Sequence, residues 1–219
     1  MTQAMTSQPG ETAQVASQYL LTPQQIHFFE TFGFLKLPGL FAHDIDNIIA
    51  GFEELFASKP VWETKEALHG DERRVIIPGF IEQSPRLAPL QHDPRIVGIV
   101  QSLIGEDFQW ASSDGNLFYC ESYWHPDDYA APLHHYHVKL SFYLDDLTGG
   151  NGAIRIIPGS HFHRQTYAKT LRRDFKDTVG VNALYGVDSG DIPAITVEST
   201  PGVCWILFEE MPWEILVIC

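Results

Sequence analysis

The chain has 219 residues, 44% of them apolar and 12% aromatic, with a formal net charge of −14. That is enough apolar material for one single-core domain, and the acidic balance argues against nucleic acid and anionic membranes as partners, because phosphate binding relies on Lys and Arg. Three cysteines, Cys120, Cys204 and Cys219, offer neither a disulfide framework nor a zinc ribbon, so a reducing, cytoplasmic setting is expected.

Residues 1–20 are rich in Ser, Thr and Gln and carry few large apolar groups. They read as a flexible tail, without the basic and apolar regions of a signal peptide. No apolar run reaches the roughly 18 residues that a membrane span needs. Order is expected to start at LTPQQIHFFETFGF. Thr22 can cap a helix that opens on Pro23, Gln25 sits at the capping-box position, and Gly33 supplies the stop. FLKLPGL then reads as a short strand and turn. A second helix is expected over 44–58, with Ile45, Ile48, Ile49, Phe52, Leu55 and Phe56 as its apolar stripe. A third is expected over 93–104, where Val97, Val100 and Ile104 share a face and Gly105 ends the element.

From Phe108 the texture changes to short strand-like runs: FQWASS, NLFYCESYW, HVKLSFYLDD, AIRIIPGS, AITVES and VCWILF. Turn residues separate them, the pattern of an antiparallel sandwich or jelly roll. Helices followed by strands imply an α+β fold with the helices packed outside one sheet. One domain is expected over 21–219.

The sharpest local signal is Trp124-His125-Pro126-Asp127-Asp128. On an extended segment, His-x-Asp puts imidazole and carboxylate on one side, two residues apart. With a distant histidine such a pair makes the facial triad that holds ferrous iron with positions left open. The tripeptide alone is a weak signal, and a surface turn is the commoner source of it. On the run that begins at His137, His137, Lys139, Ser141 and Tyr143 alternate with Val138, Leu140, Phe142 and Leu144. If the apolar set packs under the helices, the polar set points inward. A buried Lys needs a partner; a dicarboxylate would serve Lys139 and Ser141, and so would an acidic side chain on a neighbouring strand. Arg155 has the same ambiguity. His161 reads as a hydrogen-bonding turn residue. His135 and His137 form a cupin-like His-x-His pair that solvated loop histidines explain as well. His27, His43, His69 and His92 belong to no constellation, and Lys169, Arg172, Arg173 and Lys176 read as a solvated face or a lid meeting an anionic substrate.

Three stretches in order, LTPQQIHFFETFGFLKLPGL, WHPDD and FYLDDLTGGNGAIRIIPGSH, resemble the phytanoyl-CoA dioxygenase family of Fe(II)/2-oxoglutarate-dependent dioxygenases, as does IPGFIEQSPRLAPLQHDPRIVGIVQSLIGEDF. The resemblance covers about 20–202. It implies a double-stranded β-helix (jelly roll, cupin-like) core with N-terminal helices outside it. It also implies Fe(II) as metal, 2-oxoglutarate and O2 as co-substrates, and hydroxylation of a small organic substrate. His125 and Asp127 match the first two iron ligands. Relatives continue through a Pro-Gly-Asp turn to a histidine ligand and then an arginine for the far carboxylate of 2-oxoglutarate. Here the chain reads TPGVCWILFEEMPWEILVIC, with Val203 at the turn position, Trp213 near the expected histidine, and no arginine after Arg173. The domain is therefore expected to be incomplete at its C-terminus, with Trp205, Ile206, Leu207 and Trp213 partly exposed. Three readings stand: a truncated or frame-disrupted enzyme, an inactive jelly-roll binding module or pseudoenzyme, or a substitute ligand among Glu209, Glu210 and Glu214.

Overall fold

A computed structural model describes residues 16–59, 62–64, 74–118, 125–126, 137–161, 186–188, 191–209 and 216–218. The first helix, α1 (Pro23–Phe32), forms where the capping signals placed it. The Thr22 hydroxyl accepts from the Gln25 N–H at 3.3 Å while the Gln25 side chain accepts from the Thr22 N–H at 2.9 Å. Gly33, at φ 81, closes the helix in the left-handed region. Helix α2 is Ile45–Ser58 and α3 is Pro94–Ile104, capped by Asp93. Arg95, at the start of α3, bonds both Asp93 and Asp44, donates to the Leu40 carbonyl at 3.1 Å, and lies 4.2 Å from the Phe41 ring centroid. The Asp93 hydrogen bond pushes its already high pKa further up, so this cation stays charged and ties the starts of α2 and α3 together.

The tail expected over 1–20 is shorter at its inner end. Ser17–Tyr19 is a 3-10 turn, Ala16 is fully buried, and Leu21 donates its N–H to Ser102 of α3 at 2.9 Å. The close approach requires Gly98: a Cβ there would stand 2.3 Å from the Ala16 carbonyl oxygen.

Among the described residues the strands form three sheets, every pair antiparallel. The first joins β1 (Phe34–Leu37), β9 (Cys204–Glu209) and β6 (His137–Phe142) in that order. The second runs β5 (His125–Pro126), β10 (Leu216–Ile218), β7 (Arg155–Ile156) and β8 (Ile195–Thr196). The third is β2 (Trp62–Thr64), β3 (Arg74–Pro78) and β4 (Asp114–Phe118). β2 and β3 were not anticipated, and FQWASS is not a strand. There the Trp110 indole and the Ser113 hydroxyl instead donate to the Glu82 carboxylate.

Two apolar cores follow from the alternation of the first sheet. Leu35, Leu37, Cys204 and Ile206 face the helices and pack with Phe29, Phe41, Ile48, Leu55 and Ile99. Phe34, Val203 and Trp205 face the other way, onto Ile154, Ile156 and Val197 of the second sheet and its flanks. Apolar burial on both faces of β9 corrects one expectation. Trp205 is 4% exposed and Ile206 fully buried, because the helix-side core covers one face of β9 and the second sheet and its flanks cover the other; β1, some 170 residues earlier in sequence, pairs along one edge. In the second sheet, β10 lies between β5 and β7. Among the described residues, no helix is long and apolar enough to cross a membrane.

Candidate active site

Strand β6 carries the two predicted co-substrate residues. Val138, Leu140, Phe142 and Leu144 pack against the helix-side core, whereas Tyr143 packs with the inter-sheet core. Side chains alternate faces along a strand, so Lys139 and Ser141 share the inter-sheet face with Tyr143. Register agrees: Ser141 stands opposite Trp205, and Lys139 opposite Leu207. Directly opposed residues of an antiparallel pair lie on one face, and Trp205 is in the inter-sheet core. Lys139 and Ser141 are both half-buried. A half-buried ammonium beside a hydroxyl, next to an apolar floor, is the chemistry of a carboxylate site.

His125 lies in β5 of the second sheet, across from Val217, which in turn stands across from Ile156. Ile156 is 1% exposed in the inter-sheet core, so the register position of His125 belongs to the same row. Asp127, the other predicted iron ligand, lies outside the described residues, as do His69, His134, His135, Glu210, Trp213, Glu214 and the Lys169–Lys176 basic group. Of the proposed substitute ligands Glu209 ends β9, paired with His137 on the inter-sheet face by register. Among the described residues there is no group of three or more His, Cys, Asp or Glu that could hold a metal.

Two other candidates resolve into structural roles. Arg155 alternates with Ile154 and Ile156 and so takes the outer face, donating to the Ile192 carbonyl at 3.2 Å. His161 is 2% exposed, and its Nε2 meets the Glu30 carbonyl at 3.0 Å. Gly159 donates to Phe32 O at 2.9 Å, so the Pro-Gly-Ser-His turn covers the carbonyl end of α1, which no helical N–H satisfies. His27, His43 and His92 are exposed.

Trp205 is the residue that the sequence did not single out. Its indole Nε1 donates to the buried Ser199 hydroxyl at 2.6 Å, its ring centroid is 6.1 Å from that of Phe34, and Lys36 Nζ lies 5.1 Å from it. Lys36 is held there by the Glu198 carbonyl at 2.6 Å. VCWILF is apolar at every position, so no polar row marked out the face that carries Trp205.

Solved structures of non-heme, 2-oxoglutarate-dependent enzymes share this fold. The carbocyclase SnoK from nogalamycin biosynthesis superposes with a TM-score of 0.66 at 16% identity, over 90% of this chain and 83% of its own. HygX from Streptomyces hygroscopicus, with nickel, 2-oxoglutarate and hygromycin B bound, gives 0.62 at 20% identity, over 90% and 85%. EctD from S. alaskensis gives 0.60 at 17%, over 90% and 70%. The phytanoyl-CoA dioxygenase (PhyH) family profile matches residues 29–202, and the chain belongs to that family. No curated protein sequence matches it at a significant level.

Proposed function

We propose that the chain is an Fe(II)- and 2-oxoglutarate-dependent dioxygenase that hydroxylates a small organic substrate inside a double-stranded β-helix. His125 and Asp127 would hold the metal, and Lys139 and Ser141 would hold a carboxylate of the co-substrate. The observation that carries this reading is the split of β6: its apolar residues pack under the helices while Lys139 and Ser141 stand on the inter-sheet face. The register position of His125, in the row shared with Ile156 of the inter-sheet core, supports its assignment as a ligand. Family membership supplies the expected group, and HygX, which shares the fold, binds 2-oxoglutarate with nickel. When bound, the iron and 2-oxoglutarate supply O2-dependent oxidation of a C–H bond, with succinate and CO2 released. This chain's residues neutralise and orient the diacid: Lys139 by charge, Ser141 by a hydrogen bond, and the inter-sheet core by excluding water from both.

One observation favours a second reading. β10, the strand between β5 and β7, reads Leu216-Val217-Ile218 and brings neither imidazole nor guanidinium to that sheet. On this reading the domain binds a diacid or another small ligand without turnover. Succinate formation decides between them. With Fe(II), 2-oxoglutarate and O2, turnover by the wild type that disappears in His125→Ala supports the dioxygenase; 2-oxoglutarate binding without succinate supports the binding module.

A further inference from the structure

We propose that Trp205 is the length gauge of the diacid pocket: its pinned indole closes the inter-sheet space beside Ser141 and sets the longest 2-oxo diacid that fits. The inference rests on the reading of Lys139 and Ser141 as carboxylate contacts. Three observations lead to it. Trp205 stands directly opposite Ser141, one inter-sheet position from Leu207, the partner of Lys139, which is about 7 Å along the strand. Phe34, Val203, Ile154, Ile156 and Val197 fill the space around the indole, all buried. The ring is held by Ser199 through a hydrogen bond, and by Phe34 and Lys36 through ring contacts.

The Ser199 contact matters most. Ser199 lies in the connection between β8 and β9, six residues before Trp205, and is 5% exposed, so the indole is tied to a buried hydroxyl at the entry to its own strand. A longer diacid seated on Ser141 would have to push the ring against this bond, and both partners would lose a buried hydrogen bond with no water to replace it. A carboxylate on Lys139 and Ser141 therefore meets a rigid floor rather than a compliant one. Discrimination against one extra methylene then follows from packing alone, and such discrimination is worth about 10- to 200-fold.

The test is calorimetric. The full chain loaded with Mn(II) is titrated with 2-oxoglutarate and with 2-oxoadipate, its homologue one carbon longer. The wild type is expected to prefer 2-oxoglutarate by at least about tenfold. Trp205→Leu should bring the two affinities together or reverse them, and Ser199→Ala, which frees the ring without removing it, should narrow the ratio in part. A folded Trp205→Leu protein with the wild-type ratio overturns the proposal. If that variant does not fold, an unchanged ratio in Ser199→Ala does so. Lys139→Met separates this inference from the reading beneath it. Should the wild type bind 2-oxoglutarate and Lys139→Met bind it equally well, the carboxylate assignment fails, whatever the length preference. If the wild type binds neither diacid, both fail together.

Discussion

Cys204 and Glu82 show how burial and hydrogen bonding set single-residue chemistry here. Burial pushes the Cys204 thiol far above its ordinary pKa, and its side chain lies in the helix-side core. The thiolate is the reactive form, so native protein treated with iodoacetamide should carry no label at Cys204, and label should appear there only after unfolding; peptide mass mapping reads the difference. For Glu82, partial burial pushes the carboxyl up, but hydrogen bonds from Ser113, from Trp110 and from the backbone outweigh it and hold the pKa below the ordinary value. A carboxyl held low in the folded state stabilises fully above its unfolded pKa and loses that contribution as pH falls through the folded value. Glu82→Gln should therefore destabilise at neutral pH, by less than about 1 kcal/mol because the site is exposed. The gap from wild type should close in acid, as read from urea unfolding at two pH values. Neither role was legible in the sequence. Glu82 and Ser113 are 31 residues apart, and no local pattern announces such a contact.

At the scale of elements, the helices were legible almost to the residue, because caps and apolar stripes are local signals. Thr22, Pro23, Gln25 and Gly33 each act within one turn of the place where the sequence puts them. The alternation of β6 was legible for the same reason. What the sequence did not reveal is β2 and β3: Arg-Val-Ile-Ile-Pro lacks alternation, and its partner β4 is about 40 residues away, with Phe80 lying over Gly115. The turn ending in His161 was read correctly as structural, but its partner, the end of α1, is far away in sequence. Gly33 joins the two. It sits at φ 81, and a Cβ there would come 2.3 Å from His161 Nδ1. Gly33→Ala should strain the backbone and displace the buried ring together, at a cost of about 2–4 kcal/mol. Chemical denaturation would measure it, and hydrogen exchange should show the α1 end and residues 158–161 losing protection as one unit. A loss confined to either segment alone would mean that they are not coupled.

The whole molecule separates stability from the site by placing them in different cores. Among the described residues, the helix-side core holds most of the buried apolar side chains, and the inter-sheet core holds six beside the residues proposed to bind. The sequence reading missed this division at β9, because a strand covered on both faces reads simply as a continuous apolar run. Its neighbour β1 comes from the opposite end of the chain. Ile206 and Ile156 test the division. Both are buried, at 0% and 1% exposure, but on opposite sides of the first sheet. Replacing either by Ala should cost about 2–5 kcal/mol, since each leaves a cavity in close-packed surroundings. Their effects on ligand response should differ. A ligand at about 100 times its Kd stabilises the fold that binds it by about 2.7 kcal/mol, which is roughly 5–10 °C in a chain of this size. With Mn(II) and 2-oxoglutarate the wild type should show a shift of that order, and Ile206→Ala should keep it from a lower starting temperature. Ile156→Ala loosens the row that contains His125 and should lose most of the shift, as should His125→Ala, which alters a proposed ligand and removes no core methyl. Equal shifts in the two isoleucine variants would mean that ligand binding does not depend on the inter-sheet core, and would remove the ground for placing the site there.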